Sequence, residues 1–145
     1  MNFFDSMQTS ASGLAAQRLK MNLVASNLAN THTTRTEQGG PYQRKEAVLA
    51  AAPVQSAFGD MLKVELGGGP TEVTVAGVIN DQREPIMKYN PLHPDANAQG
   101  YVSMPNINMM EEMVDMMTAS RSYEANVTAI STSKNMVLKA LEIGR

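Results

Sequence analysis

The sequence predicts an α+β fold in which long N- and C-terminal helices pair as an antiparallel, coiled-coil-like hairpin, with a small β-rich insert between them. Three observations predict it. All seven prolines and eight of the ten glycines fall between residues 31 and 108, which confines the helix breakers to the middle of the chain. A seven-residue apolar repeat runs through each end. Between the ends, short alternating or β-branched runs are separated by glycine and proline. The 145 residues divide accordingly into an N-terminal helix (1–30), an insert (31–108) and a C-terminal helix (109–145).

The first helix is expected from about residue 5 to about residue 30. Asp5 or Ser6 can cap its free N–H groups, and Gln8 stands three residues after Asp5, as in a capping box. Met7, Leu14, Met21 and Leu28 recur every seventh residue, with Phe4, Ala11 and Ala25 in the complementary positions and Arg18 interrupting them. The remaining positions carry small uncharged side chains such as Ser10, Ser12, Asn22 and Ser26, which suit burial between helices. Asn27 and Asn30 are expected to hydrogen-bond backbone where the helix ends.

In the insert, Leu62, Val64 and Leu66 alternate with Lys63 and Glu65, and Gly67-Gly68-Gly69-Pro70 then turns the chain. Thr71 to Ile79 reads as a second strand, so these two runs form the expected hairpin. Ile86 to Tyr89 reads as a third short strand, ended by Asn90-Pro91. The stretch Tyr89 to Asp95 is expected to be stiff and extended, because proline restricts itself and the residue before it.

The last helix is expected to start after Asn108, an N-cap followed by Met109-Met110-Glu111. Glu111, Glu112 and Asp115 suit the positive end of the helix dipole, Lys134 and Lys139 the negative end, and Gly144 the stop. Its predicted seam is Met109, Met113, Met116, Ser120, Tyr123, Val127, Ile130, Lys134, Val137 and Leu141, with a second stripe at Met110, Met117 and Leu138. A helix that is apolar on more than one side must touch more than one neighbour. Two helices alone bury too thin a seam for a self-sufficient core. Additional subunits supplying the missing surface resolve this; a free-standing helical hairpin is the alternative.

Composition points the same way. There are 12 methionines, seven aromatic residues and no tryptophan, and five of the methionines cluster at Met109, Met110, Met113, Met116 and Met117. Methionine is the adaptable apolar residue of contact surfaces. With 12 basic and 14 acidic side chains and no basic patch, no nucleic-acid partner is expected. Cysteine is absent, which excludes disulfides and thiolate metal sites. No apolar run approaches the ~20 residues of a membrane span, and the first residues lack the pattern of a cleavable signal. The two histidines, His32 and His93, belong to no zinc motif, and a turn held by Pro91 and Pro94 accounts for His93 and Asp95. No serine sits in a nucleophile elbow, and Gly67-Gly68-Gly69 lacks the Lys-Ser/Thr of a phosphate loop. No catalytic residue, cofactor, metal or small-molecule substrate is expected.

The stretch Ser10-Ala11-Ser12-Gly13-Leu14-Ala15-Ala16-Gln17-Arg18-Leu19, followed by Asn22 to Asn30 with its core Ser26-Asn27-Leu28-Ala29-Asn30, resembles the signature of bacterial flagellar rod and hook proteins. Later segments are similar to the proximal rod members of that family: Gly40 to Lys45, Tyr89 to Ala96, Gly100-Tyr101-Val102, Met104 to Asn108 and Glu112 to Asn126. Residues 47–76 carry no matching motif. The resemblance implies a structural subunit exported uncleaved through the flagellar type III apparatus. It implies polymerisation with copies of itself and with related proteins (other proximal rod subunits, the distal rod, the membrane-ring adaptor) into a shaft that crosses the periplasm from the membrane ring, transmits torque and encloses the export channel. It also implies paired terminal helices on the inside, an insert facing outward and no catalytic residues. The expected packing residues are Met7, Leu14, Met21, Asn27, Leu28, Asn30, Met109, Met113, Met116, Met117, Tyr123, Val127, Ile130, Val137 and Leu141, a large share of them between subunits. A soluble helical adaptor or export chaperone, and a cell-wall enzyme acting through His93, are the competing readings.

Overall fold

The computed structural model describes residues 3–53 and 71–143. The elements run α1 (Phe3–Ala29), β1 (Lys45–Pro53), β2 (Thr71–Asn80), β3 (Ile86–Tyr89), β4 (Tyr101–Met104) and α2 (Met109–Ile143). The two helices lie against each other. Gly13 faces Asn126, Lys20 reaches Asp115 and Asn27 reaches Glu112, so rising numbers in α1 meet falling numbers in α2. The pair is antiparallel, as the sequence predicts.

Helix ends follow local chemistry. The Asn108 side chain accepts the Met110 N–H (3.1 Å) and its carbonyl accepts the Glu112 N–H (3.1 Å), which is the expected N-cap of α2. At the other end of α1, the Asn30 amide donates to the Ser26 carbonyl (2.9 Å) and the Thr31 hydroxyl to that of Leu28 (2.8 Å). These bonds satisfy carbonyls that have no partner within the helix. The start of α1 differs from expectation. It begins by Phe3, so Asp5 sits within the first turn, where its charge suits the positive pole, and not at the position before the helix. Gly144, the expected stop of α2, lies outside the described residues.

The strands form two separate two-stranded antiparallel sheets, β1–β2 and β3–β4. β2 and β3 stand where the β-branched and apolar runs place them. The expected partner of β2, the run Leu62 to Leu66 with its Gly67–Pro70 turn, lies outside the described residues. Among the described residues β2 pairs with β1, from Lys45 opposite Asn80 to Pro53 opposite Thr71, with a bulge at Val48/Leu49. β1 is rich in alanine, which is under-represented in strands, and it pairs along the β-branched run of β2.

The stretch 90–96 turns where an extended chain was expected. The His93 N–H bonds the Asn90 carbonyl (3.2 Å) and the Ala96 N–H bonds the His93 carbonyl (3.0 Å), with Pro91 and Pro94 each at the second position of a turn. Proline's fixed φ serves that position as readily as an extended one. Gly100 closes the β3–β4 loop at φ +82°, and a β-carbon there would stand 2.9 Å from the Tyr89 ring.

Core volume is small. Among the described residues the buried apolar side chains are Ala16, Val24 and Ala119 on the helices, and Val102, Pro105 and Ile107 in and just after β4. The chain exposes 10425 Å², whereas a compact monomer of its 15.7 kDa mass exposes about 7,300 Å².

Candidate functional site

A buried polar hub joins the two helices to the insert. Asn27 is 0 % exposed and Glu112 is 1 % exposed. The Asn27 amide nitrogen donates to the Lys45 carbonyl (2.9 Å) and to the Glu112 carboxylate (3.0 Å). Its oxygen accepts the Lys45 N–H (2.9 Å) and the Tyr42 hydroxyl (3.1 Å). All four hydrogen-bonding positions of the amide are filled. By bonding both backbone groups of Lys45, this side chain starts β1 as a neighbouring strand would. Since Tyr42 spends its proton on Asn27, its oxygen accepts the Ser26 hydroxyl (3.2 Å).

Glu112 is balanced by Arg44, whose Nε donates to it, while the other guanidinium nitrogens reach Glu46 (3.0 Å) and Asp115 (3.5 Å). Burial pulls the Arg44 pKa down, but the hydrogen bond and charge of Glu112, with Glu46, outweigh it and hold the guanidinium above its ordinary value. A buried carboxylate is tolerable here because it is paired and fully hydrogen-bonded. Asn27 bonds backbone, as the sequence predicts, though across to β1. Glu112, suited by its position to the helix dipole, is also the buried partner of Arg44.

Residues buried along α2 are spaced four and three apart: Glu112, Met116, Ala119, Tyr123, Asn126, Ile130, Ser133 and Val137 are all buried or half-buried. Of the predicted seam, Met116, Tyr123, Ile130 and Val137 belong to this line. Met109, Met113, Val127 and Leu141 do not, being exposed, as is Met117 of the second stripe. The complementary seam positions are instead small or polar, which lets the helices come close enough that a β-carbon on Gly13 would stand 3.0 Å from the Asn126 amide. On α1 the buried positions are Ala16, Val24 and Asn27, while Met7, Leu14, Met21 and Leu28 are half-buried and Asn30 caps the helix end.

These displaced apolar residues share one side of the molecule. At about 100° per residue, Met7, Leu14, Met21 and Leu28 lie roughly a quarter-turn beyond the Gly13–Lys20–Asn27 contact line, in the direction of rising number. Met110, Met113, Met117, Val127, Leu138 and Leu141 lie roughly a quarter- to a third-turn beyond the α2 contact line in the same direction. In an antiparallel pair, rotations of the same sense bring both stripes to the same face. The opposite face carries the insert. There the Ser12 hydroxyl accepts the Val73 N–H (3.0 Å), the Thr9 hydroxyl donates to the Thr71 carbonyl (3.0 Å), and Arg44 meets Asp115. The helix pair is therefore two-sided, with the β1–β2 hairpin on one face and an open apolar ribbon on the other.

His93 and Asp95 work within their turn. The His93 ring accepts the Asp95 N–H (3.1 Å), and the Asp95 carboxylate accepts the Thr34 hydroxyl (2.8 Å). Among the described residues no group of three His, Cys, Asp or Glu is placed to hold a metal. No described helix is long and apolar enough to cross a membrane.

Residues 7–35 match the family model described as flagella basal body rod protein, and residues 98–143 match flagellar basal body rod FlgEFG protein C-terminal. The flagellar basal-body rod protein FlgC of Bacillus subtilis is 43% identical over the full length of both chains. The chain belongs to the FlgC family of flagellar basal-body rod proteins. The FlgC proteins of Borreliella burgdorferi (41% identical; 99% of this chain, 98% of the relative) and Salmonella typhimurium (41%; 100% and 98%) agree. The chain is a structural subunit of the flagellar basal-body rod, in a family not known for enzymes, and the adaptor and cell-wall-enzyme readings fall away. The two family-model matches cover most of α1 and all of α2, and so contain both halves of the apolar ribbon and the Asn27–Glu112 pair.

Proposed function

We infer that the chain is a proximal-rod subunit whose helix pair assembles side by side with other subunits through the ribbon opposite the hairpin. The neighbours are copies of itself and related rod proteins, from the membrane-ring adaptor to the distal rod. The resulting shaft crosses the periplasm, carries torque and encloses the export channel, and subunits reach it uncleaved through the type III apparatus. The observation that carries this reading is the exposure of Met110, Met113, Met117, Val127, Leu138 and Leu141 on a helix whose inner seam is already filled. A contiguous open apolar face marks an interaction surface. The packing residues anticipated from the sequence then divide by role. Met116, Tyr123, Ile130 and Val137 hold the pair together, while Met7, Leu14, Met21, Leu28, Met109, Met113, Met117, Val127 and Leu141 meet neighbours.

Met113→Asp and Val127→Asp test this directly. Both residues are almost half exposed in the single chain, 45 % and 44 %, so a carboxylate there leaves the subunit's own fold intact. In an assembled rod it becomes a buried, unpaired charge. Each variant is expected to be made and exported yet to fail in rod assembly and swimming. Normal swimming by both variants overturns the reading.

A further inference from the structure

We propose that the C-terminal tail of α2 docks on the methionine ribbon at the start of the corresponding helix in the next subunit along the shaft, a rod protein of the same two-helix design. This rests on the assembly reading above and specifies one contact within it. The contacts Gly13–Asn126, Lys20–Asp115 and Asn27–Glu112 fix the pairing register. Continued along the pair, that register sets Phe3 beside Met136. From Leu138 to Ile143, α2 therefore runs on past the described start of α1, for about 9 Å.

This overhang is apolar on most sides. Leu141 is 67 % and Ile143 87 % exposed, with Leu138 also open. Its charges, Lys139 and Glu142, bond each other at 2.8 Å, so the tail can leave water without stranding either one. At the other end of the same helix, Met110, Met113 and Met117 are exposed over a stretch of matching length, about 10 Å. Flexible thioether side chains suit a surface that receives a helix end.

Charge does not oppose the contact: Glu112 and Asp115 near the ribbon are held by Arg44 and Lys20, and Lys139 in the tail by Glu142. Tail and ribbon are different patches, so the contact is heterologous and extends along an axis where a self-complementary one would close into a dimer. Seating the tail on the ribbon sets successive subunits about 40 Å apart along the axis, from the ~27 residues between the centres of the two patches.

The test places a benzophenone amino acid at Leu141 of the full chain in cells that assemble flagella, followed by irradiation, purification of basal bodies and mapping of the adducts. Adducts on the first two turns of the last helix of this chain or of another rod subunit support the proposal. Adducts confined to the subunit's own α1, to a β insert or to a ring protein, or no protein adduct at all, overturn it. Leu141→Asp combined with Ile143→Asp is expected to lower rod incorporation at least tenfold. If that variant assembles normally while Val127→Asp does not, the tail contact is wrong and the rod reading stands. If both assemble, the rod interface itself is misplaced and the tail contact falls with it. An axial repeat longer than α2 itself, about 52 Å, leaves the tail short of the ribbon and also overturns the contact.

Discussion

Replacing Asn27 by aspartate keeps the side chain's shape and inverts half of its chemistry. The amide nitrogen now lies 3.0 Å from the Glu112 carboxylate and 2.9 Å from the Lys45 carbonyl oxygen. In aspartate that atom is an oxygen facing two oxygens. The substitution removes one neutral hydrogen bond, worth about 1 kcal/mol net, and one to a charged group, worth about 2. It also sets two carboxylates about 4 Å apart at their centres, a repulsion on the order of 4 kcal/mol at an effective dielectric constant near 20. Arg44 beside Glu112 offsets part of this. A net loss of about 5 kcal/mol is comparable to the whole stability of a small domain. The assay is competition: wild-type and tagged variant chains are co-expressed, and their ratio is read in purified basal bodies. Asn27→Asp should be depleted at least about 100-fold, since each 1.4 kcal/mol is tenfold. Adding Glu112→Gln removes one charge and supplies an N–H donor toward the new oxygen, so the double variant should recover about half of the lost free energy. Incorporation of Asn27→Asp within twofold of wild type, or a double variant no better than the single one, would refute the account of the hub.

Two further predictions rest on close contacts. Gly13→Val forces a branched side chain into the 3.0 Å gap beside Asn126 and should cost about 2 kcal/mol of helix pairing in the same competition assay; Asn126→Ala in the same chain should restore most of it. Gly100→Ala puts a β-carbon against Tyr89 at a φ that favours glycine, at a cost of about 1–3 kcal/mol. Its effect should be local: hydrogen exchange at the Asn90 N–H, which bonds the Gly100 carbonyl, should speed up while the α1–α2 amides keep their protection.

The two helices, the Asn108 cap and the strands β2 and β3 were legible because each is written in local terms: a heptad repeat, a capping side chain, a β-branched run. What was not legible depends on which neighbour an element meets. β1 is a run of alanines that becomes a strand only beside β2, and proline at 91 and 94 fits a turn and an extended chain equally well. The heptads located the apolar residues but could not say which of two adjacent stripes faces the partner helix. In α2 the inner seam uses Glu112, Ala119, Asn126 and Ser133, which a search for apolar periodicity passes over. The Met113–Val127–Leu141 stripe, read as one seam with Met116, Tyr123 and Ile130, is exposed in the single chain. Glu112 offered no signal of its own, since an acidic residue near a helix N-terminus is ordinary, and its burial follows from Arg44, 68 residues away.

The same displacement carries the functional argument. A hairpin that pinned its best apolar residues inward would have little left to offer a neighbour. This one closes on small and polar side chains together with Met116, Tyr123, Ile130 and Val137, and keeps Met110, Met113, Met117, Val127 and Leu141 on the face away from the β1–β2 hairpin. A density map of the assembled basal body at side-chain resolution tests that arrangement most directly. The account predicts Met113, Val127, Leu14 and Met21 covered by helices of neighbouring subunits, with the hairpin on the opposite side of the pair. A map in which that ribbon faces water or the channel, and subunits join through their hairpins alone, would contradict it.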